Sequence, residues 1–284
     1  MKNKPRVAVI TGCSSGFGML SAVELALAGF QVVATMRDSG KRAKLDGATS
    51  EAGLEPLQVL PLDVTSDESV EAALEQIHGE HGRVDVLVSN AGYGVGGFVE
   101  DTSLQEFRDQ FETNFFGGVR VTKAVLPGMR ERRRGRIILM SSIGVFNTSP
   151  GLAAYNATKA ALEAFGEALR YEAVHDNVFV SLIEPGTYAT DIFFDNAQYA
   201  EGSRDPASPH FEETQRMERF AMQLVERRRK ADPRQVARTV LRAATAKRPR
   251  LRYRVGIDAH VLKPVRAITP TRLTEAVTGK IMRG

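Results

Sequence analysis

Tyr155 and Lys159 stand four residues apart in YNATK, at the head of a stretch with helical spacing of its apolar residues over 154–173. Residues at i and i+4 share one face of a helix, so the phenol and the ammonium come within reach of one another. A phenol with its ordinary pKa near ~10 exchanges protons poorly at neutral pH, but an ammonium within ~4–6 Å favours the phenolate and lowers that value. Such a pair suits proton exchange with a carbonyl or alcohol oxygen. Taken alone it reads more readily as the polar face of an amphipathic helix. The rest of the chain has to decide.

A second chemical signal lies in TGCSSGFG, residues 11–18. Gly12 permits a tight turn, Gly16 lets backbone approach a pyrophosphate, and Gly18 allows close helix packing. The N–H groups of the helix that follows suit an anion. The spacing is neither G-x-G-x-x-G nor a P-loop, and alone it is as consistent with a plain glycine-rich turn. NAGYG, residues 90–94, again brings small residues to the end of an apolar run, where Asn90 could equally bond backbone in a turn.

These signals sit at the ends of short β-branched runs at 6–11, 31–35, 57–62, 84–89, 136–141 and 178–184. Such runs are too apolar for half-exposed strands and fit strands covered on both faces. Helical periodicity lies between them over 18–28, 67–79, 104–130 and 154–173. Strand and helix in alternation predict right-handed crossovers and a doubly wound parallel sheet in three layers, α/β/α. In such a sheet the ligand lies beyond the carboxyl ends of the strands, where both signals fall.

Taken in order, Thr11-Gly12-x3-Gly16-x-Gly18, Asn90-Ala91-Gly92, Asn114, Ser142 and Tyr155-x3-Lys159 resemble the signature of the short-chain dehydrogenase/reductase family, over roughly residues 7–190. TGCSSGFG, ATMRD and RVGIDA are similar to the branch that holds 17β-hydroxysteroid and retinol dehydrogenases. The resemblance implies a Rossmann-type fold and a nicotinamide cofactor that supplies the hydride but not the proton. It implies Tyr155 as general acid in reduction and base in oxidation, with Ser142 holding the substrate oxygen. Lys159 would lower the phenol's pKa and bond the nicotinamide ribose, and Asn114 would support a proton-relay water. The resemblance favours Ser142 over Ser141, because it stands 13 residues before Tyr155 as the family's catalytic serine usually does.

The resemblance also implies cofactor contacts at Gly12, Ser14, Ser15, Gly16, Phe17 and Gly18, and at Asn90, Ala91 and Gly92. Asp63 and Val64 would meet the adenine, and Pro185, Gly186, Tyr188 and Thr190 would lie beside the nicotinamide. Tyr188 and Phe17 depart from the family's commoner aliphatic residues and put the shape of the pocket in question. Met36 ends the second strand and cannot bond ribose hydroxyls, while Arg37 can form charge-assisted bonds to a 2′-phosphate. NADP(H) is therefore expected over NAD(H), with Ser14 or Ser15 and Lys41 or Arg42 assisting. A one-residue shift would instead offer Asp38 to the ribose.

Composition is that of an ordinary globular protein, with 43% hydrophobic and 25% charged residues. No run approaches the ~18 apolar residues of a membrane span. The opening MKNKPRVAVITG lacks a leader-like apolar segment, and the single Cys13 suits a reducing compartment, so a cytoplasmic protein without a metal site is expected. The net charge of +4 is compatible with a polyanionic cofactor. The basic runs 130–136 and 225–230 lack interleaved aromatics and read as solvated helix ends, so no nucleic-acid partner is expected.

One catalytic domain over 1–284 is expected. A substrate-lid insertion at 193–232 would carry Phe193, Phe194, Tyr199, Phe211 and Phe220, and residues 258–284 would form a C-terminal extension. Helices at 104–130 and 154–173 resemble the family's dimerisation helices and imply a homodimer or homotetramer. The function expected is interconversion of an apolar carbonyl compound and its alcohol, with a steroid, retinoid or other lipid as substrate. A non-catalytic NADP sensor or scaffold is the alternative, and it would be expected to lack Tyr155 or Lys159; both are present.

Overall fold

The computed structural model describes residues 4–193 and 197–283, so Phe194 lies outside the described residues. Seven parallel strands form the central sheet: β1 (Val7–Ile10), β2 (Gln31–Met36), β3 (Gln58–Pro61), β4 (Val86–Ser89), β6 (Gly135–Met140), β7 (Val178–Pro185) and β9 (Arg252–Val255). Their order across the sheet is β3-β2-β1-β4-β6-β7-β9. The chain winds outward from β1 to β3 and then returns to build the other half from β4. The switch point is the gap between the carboxyl ends of β1 and β4, where such sheets bind ligands. A separate parallel pair joins β5 (Val95–Gly96) to β8 (Gln198–Tyr199).

Period-two alternation divides each strand between two cores. Val7 and Val9 of β1 join Leu87, Ile137, Leu139, Val180 and Leu182 under α3 (Asp67–His81), α5 (Gly117–Glu131) and α6 (Ala153–Ala173). Ala8 and Ile10 join Val32, Val88 and Ile138 under α1 (Gly16–Leu27), α2 (Ala43–Glu51) and α8 (Arg234–Thr245). The apolar runs are therefore continuous because both faces of the sheet are covered. Two further helices, α9 (Ile257–Ile268) and α10 (Thr271–Arg283), follow β9, and α7 (Phe211–Arg227) lies between β8 and α8.

The expected helix at 104–130 is two helices with a wider turn between them. α4 (Leu104–Phe111) starts on a capping box formed by Ser103 and Glu106. Residues Glu112–Phe116 then form a π-helical turn, marked by the bond from the Gly117 N–H to the Glu112 carbonyl, before α5 continues to Glu131. Such turns recur at functional sites, and this one contains Asn114. The polar helix α2, AKLDGATSE, had no counterpart among the periodic segments because it buries only Leu45 and Thr49.

Candidate active site

The carboxyl ends of β1, β2, β4, β6 and β7 open onto a cavity of about 1060 Å³. Gly12 (φ +73°) and Gly16 (φ +57°) shape the turn after β1 in a left-handed conformation that favours glycine. A side chain at Gly18 would overlap the Gly12 carbonyl and the Asn90 amide, so α1 can start this close to β4 only with glycine there. Helix α1 carries no acidic residue in its first turn. Its leading N–H groups have no partner inside the helix, and Gly16 and Phe17 border the cavity. Backbone, positive dipole and open space together fit a pyrophosphate.

Thr11 and Asn90 lock this turn to β4. The Thr11 hydroxyl accepts from the backbone N–H groups of Asn90 (2.9 Å) and Ala91 (3.0 Å), while Asn90 Nδ2 donates to the carbonyls of Thr11 (3.0 Å) and Gly12 (3.1 Å). The amide of Asn90 is thus spent on backbone across the switch point. Ser14, Ser15, Asn90, Ala91 and Gly92 border the cavity.

At the end of β2, exposed Arg37 borders the same cavity, and Lys41 lies nearby on its wall. Asp38 also borders it, but one of its carboxylate oxygens accepts from the Gly40 N–H at 2.9 Å and caps the following turn. Arg42 departs from expectation. Its guanidinium is held by both oxygens of Asp46 (2.8 and 3.0 Å) and faces the Leu57 carbonyl, so it does not border the cavity. Asp63 accepts from the N–H and hydroxyl of Thr65 (2.9 and 2.7 Å) beside Val64, and Ser66 caps α3. Both Asp63 and Val64 border the cavity.

Ser142, Tyr155 and Lys159 converge where β6 ends and α6 begins. Tyr155 is hydrogen-bonded to Ser142, whose hydroxyl oxygen also accepts from the Gly144 N–H at 3.1 Å. Lys159 is buried, with its Nζ 5.7 Å from the centre of the Tyr155 ring, and donates to the Met140 carbonyl at 2.9 Å. Ser141 turns the other way and donates to Glu163 at 2.8 Å. Burial lowers the Lys159 ammonium to about 8. The expectation of a lowered tyrosine pKa is corrected. Burial pushes the Tyr155 phenol above its ordinary value, and the Ser142 hydrogen bond opposes that shift only in part. The ammonium reaches a carbonyl rather than the phenol oxygen, so desolvation prevails.

Asn114 does not point into open space. Its Oδ1 accepts from the Tyr93 N–H (3.0 Å), and its Nδ2 donates to the Tyr93 carbonyl (2.8 Å) and the Thr158 hydroxyl (3.3 Å). Buried Gln110 completes this grip by donating to the Tyr93 carbonyl (2.6 Å) and accepting from the Val95 N–H (3.1 Å). Sequence reasoning missed Gln110, although Gln110 and Asn114 have the same i, i+4 spacing that drew attention to Tyr155 and Lys159.

Pro185 at the end of β7, and Gly186, Tyr188 and Thr190 after it, border the cavity. The Tyr188 ring is only 1% exposed, meets Phe17 edge-on at 5.8 Å and donates its hydroxyl to Gln235 of α8 at 3.2 Å. Tyr188 therefore fills the core between α1 and α8 rather than crowding the cavity, and Phe17 is the ring left at its edge. Tyr93, Phe98, Leu152 and Met217 also border the cavity, as do Tyr199 and Phe220 among the expected lid aromatics; Phe211 does not. Tyr93 lies within NAGYG, whereas Phe98, Leu152 and Met217 carry no motif and reach the cavity only through folding.

The fold and site define a nucleotide-binding α/β oxidoreductase class. Residues 6–199 match the family model for short chain dehydrogenase, and the chain belongs to that family. Human retinol dehydrogenase 8 is 48% identical over 199 residues, 67% of this chain and 61% of that one, so the chain spans about three fifths of that relative's length. The 3-ketodihydrosphingosine reductase of Bacteroides thetaiotaomicron is 36% identical over 91% of both chains. A short-chain dehydrogenase structure from Streptomyces avermitilis superposes with a TM-score of 0.80 at 33% identity, covering 100% of this chain and 99% of that one. Two further structures at 27% identity contain NADP (metagenomic, TM-score 0.68, 88% and 96% covered) and NAD (Burkholderia phymatum, 0.76, 89% and 90%).

Proposed function

We propose that this protein interconverts an apolar ketone or aldehyde and its alcohol using NADP(H). The observation that carries the proposal is the meeting of Tyr155, Ser142 and Lys159 on one wall of a cavity whose other wall is the Gly12–Gly18 turn. The cofactor, when bound, would supply or accept the hydride. In reduction Tyr155 gives its proton to the substrate oxygen while Ser142 holds that oxygen in place. Burial keeps the phenol protonated for reduction but makes it a weaker acid, which the Ser142 hydrogen bond offsets in part, and in the reverse reaction ionisation of Tyr155 would draw on the Lys159 charge. Asn114 and Gln110 fix the Tyr93–Val95 wall opposite, and we assign the proton-relay water to the neighbourhood of Asn114.

For the cofactor, the α1 terminus with Ser14 and Ser15 would hold the pyrophosphate. Asp63 and Val64 would flank the adenine, Asn90 to Gly92 would line its path, and Lys159 would bond the ribose. Arg37, with Lys41, offers positive charge where a 2′-phosphate would lie, and the Asp38 oxygen committed to Gly40 supports NADP over NAD. Phe98, Leu152, Met217 and Phe220 suit an apolar substrate. The names of the retinol and 3-ketodihydrosphingosine relatives support a lipid-like alcohol or ketone. Leu104, Phe116 and Tyr171, exposed on α4, the π-turn and α6, support a homodimer through these helices.

The test follows NADPH and NADH oxidation with a panel of retinoid, steroid and long-chain carbonyl compounds. Tyr155→Phe should lose at least about a hundredfold in kcat, within the range of a general acid. Arg37→Ala should weaken NADPH far more than NADH. Undiminished turnover by the phenylalanine variant would sink the mechanism, and equal losses with both nucleotides would remove Arg37 from the 2′-phosphate site.

A further inference from the structure

The turn that would flank the nicotinamide is held from behind by residues beyond the 6–199 family match. Asp258, in the first turn of α9, carries the central group. Its Oδ2 accepts from the Thr187 N–H at 2.7 Å, and its Oδ1 accepts from Arg228 Nη2 at 2.7 Å and from the Ala259 N–H at 3.0 Å. Glycines clear the space around it. A side chain at Gly186 would overlap the carboxylate, and one at Gly256 (φ +104°) would stand 2.6 Å from Oδ1. The pair is mostly shielded, with the Arg228 and Asp258 side chains 24% and 18% exposed. All three hydrogen bonds are charge-assisted, and the carboxylate sits at a helix N-terminus, where the dipole favours it.

Arg228 closes the last turn of α7, with its N–H bonded to the carbonyls of Leu224 and Val225. Met217, Phe220, Ala221 and Leu224 of that helix border the outer part of the cavity. One carboxylate thus grips the end of the helix that walls the substrate side and the backbone that walls the cofactor side. Moving the end of α7 away would pull the arginine from Oδ1. The carboxylate that fixes Thr187 would then lose its counter-charge.

We propose that Asp258 is a positioning residue through which α7 and the 185–188 turn are set together, so that cofactor binding orders the substrate wall. The proposal rests on the dinucleotide reading of the cavity. Neither partner is legible alone, since Asp258 looks like an ordinary acidic residue in a first helical turn and Arg228 like one of a solvated run.

The experiment measures trypsin cleavage after Arg216 and Arg219 of α7, sites present in every variant, and NADPH affinity by fluorescence, neither of which needs turnover. In wild type, NADPH should slow cleavage. In Asp258→Asn, which retains one oxygen for Thr187 but loses the charge, NADPH affinity should fall about tenfold, and NADPH should no longer protect; a charge-assisted bond is of that size. Arg228→Met should cleave faster without nucleotide and raise KM for substrate more than it lowers kcat, while Arg228→Lys should restore protection. Equal protection of wild type, Asp258→Asn and Arg228→Met by NADPH would overturn the proposal. If wild type bound neither NADPH nor NADH, the functional reading would fall instead. Faster cleavage of Arg228→Met than of Arg228→Lys would still support the clamp, and equal rates would refute it. Thermal melts of each variant separate these outcomes from unfolding.

Discussion

Burying the ammonium of Lys159 against the Met140 carbonyl carries a cost that varies with pH. In the folded chain its pKa falls from 10.5 to about 8. Between those values the unfolded chain holds a proton that the folded chain lacks, so this residue adds stability as pH rises through that window. Lys159→Met removes the dependence. Urea unfolding of both proteins should therefore show wild type gaining on the variant from pH 8 to pH 10, and a constant gap would mean that the ammonium is not desolvated by the fold. Tyr155 and Lys159 were legible as a pair because their meaning lies in i, i+4 spacing. The direction of the phenol's shift was not, because it depends on where the ammonium lands, and Met140 is brought there by β6. Arg42 shows the same limit: its capture by Asp46 is local, but its loss from the cavity wall follows from the geometry of the turn after β2.

At the scale of elements, α4, the π-turn and α5 read as one helix in the sequence because a single widened turn leaves the apolar period almost unchanged. Its consequence is visible only in space. Gln110 and Asn114 reach across to the Tyr93–Val95 backbone from the segment that the wider turn interrupts. Both amides donate to the Tyr93 carbonyl, so either single alanine variant leaves that oxygen one donor, whereas the double variant leaves it neither. An unsatisfied buried group costs about 1–3 kcal/mol. The loss of stability in Gln110→Ala/Asn114→Ala should therefore exceed the sum of the two single losses, the coupling expected of residues that share a partner. Strictly additive values in a double-mutant cycle by chemical denaturation would show that the two amides do not act on one acceptor. Strand positions were easier to read, since the apolar runs end within one residue of the ends of β6 and β7. Polar α2 was invisible because so little of it is buried.

At the scale of the molecule, the sheet and its switch point could be expected from alternating elements, but the charges that join its far edge to the site could not. Arg252 on β9 donates to Glu163 (2.9 Å) and Glu167 (2.8 Å) of α6 and stands 3.4 Å from Glu184, the penultimate residue of β7. Glu163 in turn accepts from Ser141, next to Ser142, and Glu184 precedes the Pro185–Gly186 turn. Glu184 is 1% exposed, and among the described residues its oxygens have no hydrogen-bond donor, only Arg252, Arg254 and Lys263 at 3.4, 3.4 and 3.8 Å. Burial and the Glu163 charge push its pKa up, against the pull of the three cations. A group whose folded pKa is raised stabilises the fold at acidic pH and loses that contribution as pH rises through the raised value. Arg252→Met would leave two neighbouring buried carboxylates without their shared cation, a change that costs about 3–5 kcal/mol when both are ionised. Protonation relieves that repulsion, so the deficit of the variant should be smaller at pH 5 than at pH 7.5 in thermal melts. A deficit equal at the two pH values would mean that Arg252 contributes packing rather than charge. A deficit greater at neutral pH would mean that strand β9, though outside the family match, supplies the cation that lets α6 and the end of β7 carry acidic residues directly behind the candidate site.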